Sequence, residues 1–452
     1  MPETPEGDPY EFSIVTRFGS VVDLLDPGAW DWAKAYMEAA PAMGQDGWMC
    51  DFAEWMPFDA QLFGGVTGQE NHNEYPLLWQ RLNMEVLNEG LGEGQGLCFN
   101  RSGWTGTWTI TPVTWGGDQE TDFARDDGMP TARHIGVGLG LSGVGRYGSD
   151  VAGFSSLFGG PSNKEVYWRW TTMSAFEPVM RLHDGLRDQD NWRWDRDEET
   201  IDHFRRWTRV HMRMLPLWRI LNREYETNGW PFMRHSILVE PADSAAFELV
   251  RDAPDQHFIG DDLLVAPVVD EDVESRSVVF PPGRWYGFPA GEMVEVGDEG
   301  LEVAEVEAPL SEIPVYARGG SILPLLDESV QTSYRSDADG VTDDGDLDGI
   351  RDLVVFHDLS ASVELVDGRS FAWAAEDRGP LLPGEVTLDG VALPLCSGNR
   401  AQDCVRPHEE GRWVLEVSWS SDESVLVGPG WTLTATGAEG TRGTVELRYP
   451  ED

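Results

Sequence analysis

Three short segments hold acidic residues where an apolar strand runs into a loop. They are Trp48-Met49-Cys50-Asp51-Phe52-Ala53-Glu54, Trp115-Gly116-Gly117-Asp118-Gln119 and Gly148-Ser149-Asp150-Val151-Ala152-Gly153. An acid beside glycine at a strand's end is a common loop feature, so one such segment says little. Three on successive strands say more, because a barrel builds its active site from residues at the carboxyl ends of several strands. The chemistry that suits paired carboxyl groups is cleavage of a glycosidic bond. A retaining enzyme sets them about 5–5.5 Å apart, one as nucleophile and one as acid/base. The acid must keep its proton near neutral pH, which an apolar wall such as Trp115 beside Asp118 would favour. The nucleophile must stay ionised, which Arg101 on the intervening strand would favour at Asp51.

The surrounding elements have to bring these ends together. Over residues 1–241, apolar runs such as QDGWMCDF, QGLCFNRSG, PVTWGGDQ, VGRYGSDVAGF and PFMRHSILVE alternate with helical stretches. Val166, Trp170, Met173 and Phe176 recur at helical spacing over 164–183, as do Phe204, Trp207, Val210, Met214 and Leu217 over 201–218. Strand–helix alternation of this kind predicts an α/β fold with a parallel sheet or barrel. After Pro241 the pattern changes to short strands between Gly and Pro turns, which predicts an all-β tail. We expect a proximal module over 242–328 and a distal one over 329–452.

The bulk composition narrows the partners. Eighty acidic against 33 basic residues give a net charge of -47, and Lys34 and Lys164 are the only lysines. Such a surface repels phosphate backbones and anionic membranes, so neither nucleic acid nor a membrane is expected as a partner. It is typical of proteins kept soluble in a halophilic or marine setting. No run of about 18 apolar residues occurs, so no membrane-spanning helix is expected. The 20 tryptophans exceed ordinary usage, and stacking on sugar rings would use some of them.

Taken together, WMCDFAEWMP, HNEYPLLWQR, RSGWTGT, PVTWGGDQETDFARDDG, GSDVAGFSSLFG and RWTTMSAFEPVMRLHDG resemble the successive motifs of glycoside hydrolase family 31. Their order and spacing agree over about residues 19–325, and WMCDFAEWMP is nearest the family's sulfoquinovosidase branch. The resemblance implies a (β/α)8 TIM-type barrel followed by C-terminal β-sandwich modules. It makes Asp51 the nucleophile and Asp118 the acid/base of a retaining α-glycosidase without metal or organic cofactor. Arg101, Trp115, Asp150 and His183 fall where the family holds the sugar. Phe154 stands where the branch has a tyrosine that helps hold a sulfonate, so a neutral α-glucoside competes with an α-sulfoquinovoside as substrate. Family members carry a β-sandwich and further barrel strands ahead of the nucleophile. Here the match begins near the third barrel strand, around Phe12–Leu25, so the barrel is expected to be partial: either the chain is a fragment, or a separate polypeptide supplies the front half.

The alternative reading is an inactive truncated remnant serving as a sugar-binding or assembly module. A third, a calcium-bound carbohydrate-binding protein, rests on the acidic stretch Asp337 to Gly349. There Asp337, Asp339 and Asp343 offer hard oxygen ligands, but the closing Glu of an EF-hand loop is missing. Cys50 and Cys98 sit in apolar runs and are expected as buried reduced thiols. Cys396 and Cys404 flank a polar loop that a disulfide would close.

Overall fold

The computed structural model describes residues 1–343 apart from 15–16, 244–246, 254, 290–292, 298–301 and 327, and beyond 343 only strands between 352 and 446. Two compact units are present: Met1–Gly117 with Ser142–Gly148, and Asp118–Leu141 with Ser149–Asp452.

The first unit opens on an antiparallel hairpin, β1 (Phe12–Ile14) and β2 (Arg17–Gly19), with Phe12 opposite Gly19. The stretch expected to hold a barrel strand therefore pairs with itself. Helix α1 (Pro27–Met37) follows, where Asp26 accepts from Gly28 N at 2.8 Å and Pro27 occupies the first turn. After the short α2 (Ala39–Ala42) comes β3 (Gly47–Cys50). The short α3 (Gly68–Asn71) starts in a Thr67/Glu70 capping box, and α4 (Tyr75–Leu91) leads to β4 (Leu97–Asn100). Then come β5 (Val113–Trp115) and β6 (Tyr147–Val151), whose first residues belong to this unit.

Pairing is parallel throughout, Gly47 with Leu97, Phe99 with Val113 and Thr114 with Tyr147. Gly47 is required here, because a Cβ would lie 2.1 Å from the Leu97 carbonyl oxygen. Leu87 of α4 packs on Cys50 and Cys98. Those cysteines also meet each other, with Cα atoms 6.1 Å apart. The register explains the meeting: Cys98 faces Trp48, and Cys50, two residues on, shares Trp48's face of the strand.

The second unit holds α5 (Met129–Leu141), the rest of β6, and α6 (Lys164–Ser174), capped by Asn163 accepting from Val166 N at 2.9 Å. The helical period expected over 164–183 stops at Ser174. Pro178 disfavours a helical Glu177, and Val179–Leu182 is a strand, β7, next to β6 in the sheet. The pattern over 201–218 is likewise two helices, α7 (Glu198–Arg213) and α8 (Leu215–Asn228), with Pro216 in the first turn of the second. Val151, Val166, Trp170 and Met173 share one buried core with Met129 and Ala132.

Of PFMRHSILVE only Met233–Arg234 is strand (β8), followed by the short helix α9 (Ser236–Val239). Beyond another short helix, α10 (Phe247–Asp252), strands dominate. They are β9 (His257–Ile259), β10 (Leu263–Val265), β11 (Ser275–Phe280), β12 (Gly283–Gly287), β13 (Met293–Val296), β14 (Glu302–Glu307), β15 (Val315–Arg318) and β16 (Ile322–Leu325). A six-stranded sheet runs β13-β12-β15-β10-β9-β8, and β11 pairs with β14. Phe258, Leu264, Val278, Phe280 and Trp285 form its core. Among the described residues no helix is long and apolar enough to cross a membrane.

Candidate active site

In the first unit, Asp51 is the first residue after β3. The chain then turns sharply through Phe52 and Ala53, at φ 62° and 78°. Non-glycine residues in this left-handed region each cost about 1–3 kcal/mol, a cost met most often at functional sites. The turn is held from several sides. Asp51 Oδ1 accepts from Phe52 N at 2.8 Å, Trp79 Nε1 donates to the Asp51 carbonyl at 3.0 Å, and Ser102 Oγ donates to the Phe52 carbonyl.

Arg101, one residue past β4, links two acids. Its Nε lies 3.3 Å from Asp51 Oδ1 and its Nη2 2.5 Å from Glu54 Oε1, while its guanidinium sits 4.6 Å from the Phe52 ring centre. The Asp51 side chain stays one-third exposed, within reach of a substrate. Glu54 was not singled out from sequence, although it closes the WMCDFAE segment, three residues from Asp51. Trp115 is buried edge-on to Phe99, ring centres 5.3 Å apart.

In the second unit, Asp118 is exposed while the next residues, Gln119 and Glu120, are buried. Asp150 is only 1 % exposed and pairs with Arg181, which stands on β7 two residues before His183. Burial pushes the Asp150 carboxyl up to about 6, against the pull of Arg181 and His183 and with help from the Asp118 charge. Asp150 thus feels the charges of both Asp118 and His183. The His183 ring meets Phe154 edge-on, centres 4.7 Å apart, and its Nδ1 accepts from Gly185 N at 3.0 Å.

Beneath Asp150 lies a second buried acid. Glu177 accepts from Ser149 N at 3.0 Å and from Ser149 Oγ at 2.9 Å, and that hydroxyl accepts from Trp170 Nε1 at 2.8 Å. Burial raises Glu177 to about 7, with Asp150 adding to the rise. Sequence reasoning missed Arg181 and Glu177. The Arg-Leu-His alternation on one strand face was a signal for the first, and a helical reading of 164–183 hid the second.

The expected calcium ligands do not assemble. Among the described residues no group of three or more His, Cys, Asp or Glu side chains is placed to hold a metal ion. Asp337 and Asp339 are exposed, whereas Asp343 is buried and accepts from Ser336 N at 2.7 Å, bracing the loop from within. The remaining aspartates of that stretch, and Cys396, lie outside the described residues.

Comparison with known proteins bears on about the first 320 residues. The sequence model of the glycosyl hydrolases family 31 TIM-barrel domain matches residues 3–220, and that of the family 31 C-terminal domain matches 229–323. The sulfoquinovosidase of Escherichia coli (strain K12) is 35% identical over 327 residues, which are 72% of this chain and 47% of the relative. The sulfoquinovosidase of Agrobacterium fabrum is 35% identical over 315 residues, 69% of this chain and 46% of its own length. A solved family 31 sulfoquinovosidase from E. rectale, in complex with the aza-sugar inhibitor IFGSQ, superposes with a TM-score of 0.64 at 30% identity, covering 70% of this chain and 46% of that one. The chain thus spans about half the length of the curated relatives it matches. With both domain models matched in order and relatives of one kind at this identity, the chain belongs to glycoside hydrolase family 31.

Proposed function

We propose that this chain carries the catalytic residues of a retaining α-glycosidase, with Asp51 as nucleophile and Asp118 as acid/base. In this reading the Asp51 carboxylate attacks the anomeric carbon as Asp118 gives its proton to the departing oxygen. Asp118 then takes a proton from water, which releases the sugar from Asp51. Arg101 aims the Asp51 carboxylate, sharing its guanidinium with Glu54. Asp150 (braced by Arg181), His183 and Trp115 are the residues assigned to holding the sugar. The observation that carries the reading is the strained, multiply braced turn after β3, which presents a carboxylate one-third exposed beside an arginine.

An α-sulfoquinovoside is the favoured substrate, because relatives so named share 35% of their aligned residues with this chain. A neutral α-glucoside is the second reading, favoured by Phe154, which has no hydroxyl to offer a sulfonate. The test compares 4-nitrophenyl α-sulfoquinovoside with 4-nitrophenyl α-glucoside and follows the first-released anomer by NMR. The expected result is release of the α-anomer, faster from the sulfoquinovoside, with the Asp51→Ala variant at background. Release of the β-anomer, or unchanged rates in that variant, would contradict the reading.

A further inference from the structure

The loop 155–159 is unusually well held for a segment whose tip is apolar. Glu120 is buried, and its carboxylate accepts from three successive backbone groups, Leu157 N at 3.0 Å, Phe158 N at 3.1 Å and Gly159 N at 3.2 Å. Burial pushes the Glu120 carboxyl up, but these N–H groups and the Ser155 hydroxyl outweigh it and hold the carboxyl below its ordinary range. The Gln119 carbonyl accepts from Phe154 N at 2.8 Å and Ser155 N at 2.9 Å. Thr121 Oγ donates to the Gly160 carbonyl at 2.6 Å, and Ser156 Oγ donates to Asn191 at 3.1 Å. At Gly159 any side chain is excluded, since a Cβ would lie 2.0 Å from Asp122 Oδ2. The loop is fixed to the residues that directly follow Asp118.

On that fixed loop Leu157 is 52% and Phe158 92% exposed. A single exposed apolar side chain needs no explanation, but two adjacent ones on an immobilised tip form a preorganised contact surface. The tip also lacks hydrogen-bond donors for a ligand, because the N–H groups of Leu157, Phe158 and Gly159 are all spent on Glu120. A sugar hydroxyl would find no free backbone N–H there, and an alkyl or aryl group needs none.

We infer that Leu157 and Phe158 form a leaving-group contact that selects apolar, alkyl or aryl, aglycones. This rests on the proposed role of Asp118. A residue that protonates the departing oxygen stands on the aglycone's side of the bond, and the loop is built onto that residue's own segment. The contact adds binding in proportion to the apolar surface the aglycone offers.

The test uses the full chain and its Leu157→Ser/Phe158→Ser variant, which should fold because both side chains are exposed. Methyl and octyl α-glycosides of one sugar are compared, the octyl compound below its micellar concentration. Octyl should exceed methyl in kcat/KM in the unaltered protein. The variant should lose about tenfold or more of that preference, with methyl turnover unchanged. A preference that survives in the variant, or an equal loss for both substrates, overturns the inference. Calorimetric binding of the same two glycosides separates this from the catalytic reading. Should neither protein turn over, tighter octyl binding that disappears in the variant upholds the contact independently of the role of Asp118. Equal binding of both glycosides overturns the contact itself.

Discussion

At the scale of single residues, Asp150 is the proposed sugar-holding acid whose pKa is raised by burial. Its carboxyl goes from an ordinary 3.8 up to about 6 through burial, with Arg181 pulling the other way. If the ionised form holds the sugar, kcat/KM should fall as pH drops through about 6. Arg181→Gln removes the group that lowers this pKa, so the acidic limb of the pH profile should move to higher pH. A limb that stays in place while activity falls would show that Arg181 acts on something other than the Asp150 charge. The same shift acts on stability. Between 3.8 and about 6 the folded chain binds more protons than the unfolded one at this site, so rising pH through that window removes stability contributed here. Asp51, Arg101 and Asp150 were legible in the sequence because each sits at a strand end within a dense motif. Glu177 was not, since nothing local marks a buried acid whose partners are Ser149 and, through it, Trp170.

At the scale of elements, periodicity located the helices but not all their ends. The helix through Trp170 was plain from its apolar spacing. Its end at Ser174 and the strand after Pro178 were signalled by the proline, which the longer apolar period obscured. The hairpin at Phe12–Gly19 was missed because pairing partners so close in sequence leave no periodic mark in a few residues. Trp170 joins the core to the site, being fully buried while its indole N–H holds Ser149 next to Asp150. Trp170→Ala should therefore cost about 3–5 kcal/mol of stability, read from the urea unfolding midpoint. Trp170→Phe keeps most of the volume and should recover most of that loss. An alanine variant as stable as the parent would show that this core does not carry α6.

At the scale of the whole molecule, charge is the dominant feature and the one least tied to fold. A net charge of -47 on 452 residues makes the folded chain repel itself, and salt screens that repulsion. Melting temperature should climb from low to molar KCl. A flat profile would mean that local ion pairs, such as Lys34 with Glu85 and Glu89, already offset the excess. The α/β-then-β order was legible from the change in texture near Pro241. The meeting of Cys50 and Cys98 was not, because it depends on a strand register that no local pattern announces.

The central claim is that Asp51 attacks the sugar, and covalent trapping tests it most directly. A fluorinated α-glycosyl inactivator of the sugar that the chain hydrolyses slows release of the intermediate, and peptide mass mapping locates the label. One sugar per chain is expected, on the peptide containing Asp51, and none in the Asp51→Ala variant. A label on Asp118, Glu54 or any other acid, in a preparation that turns over, would contradict it.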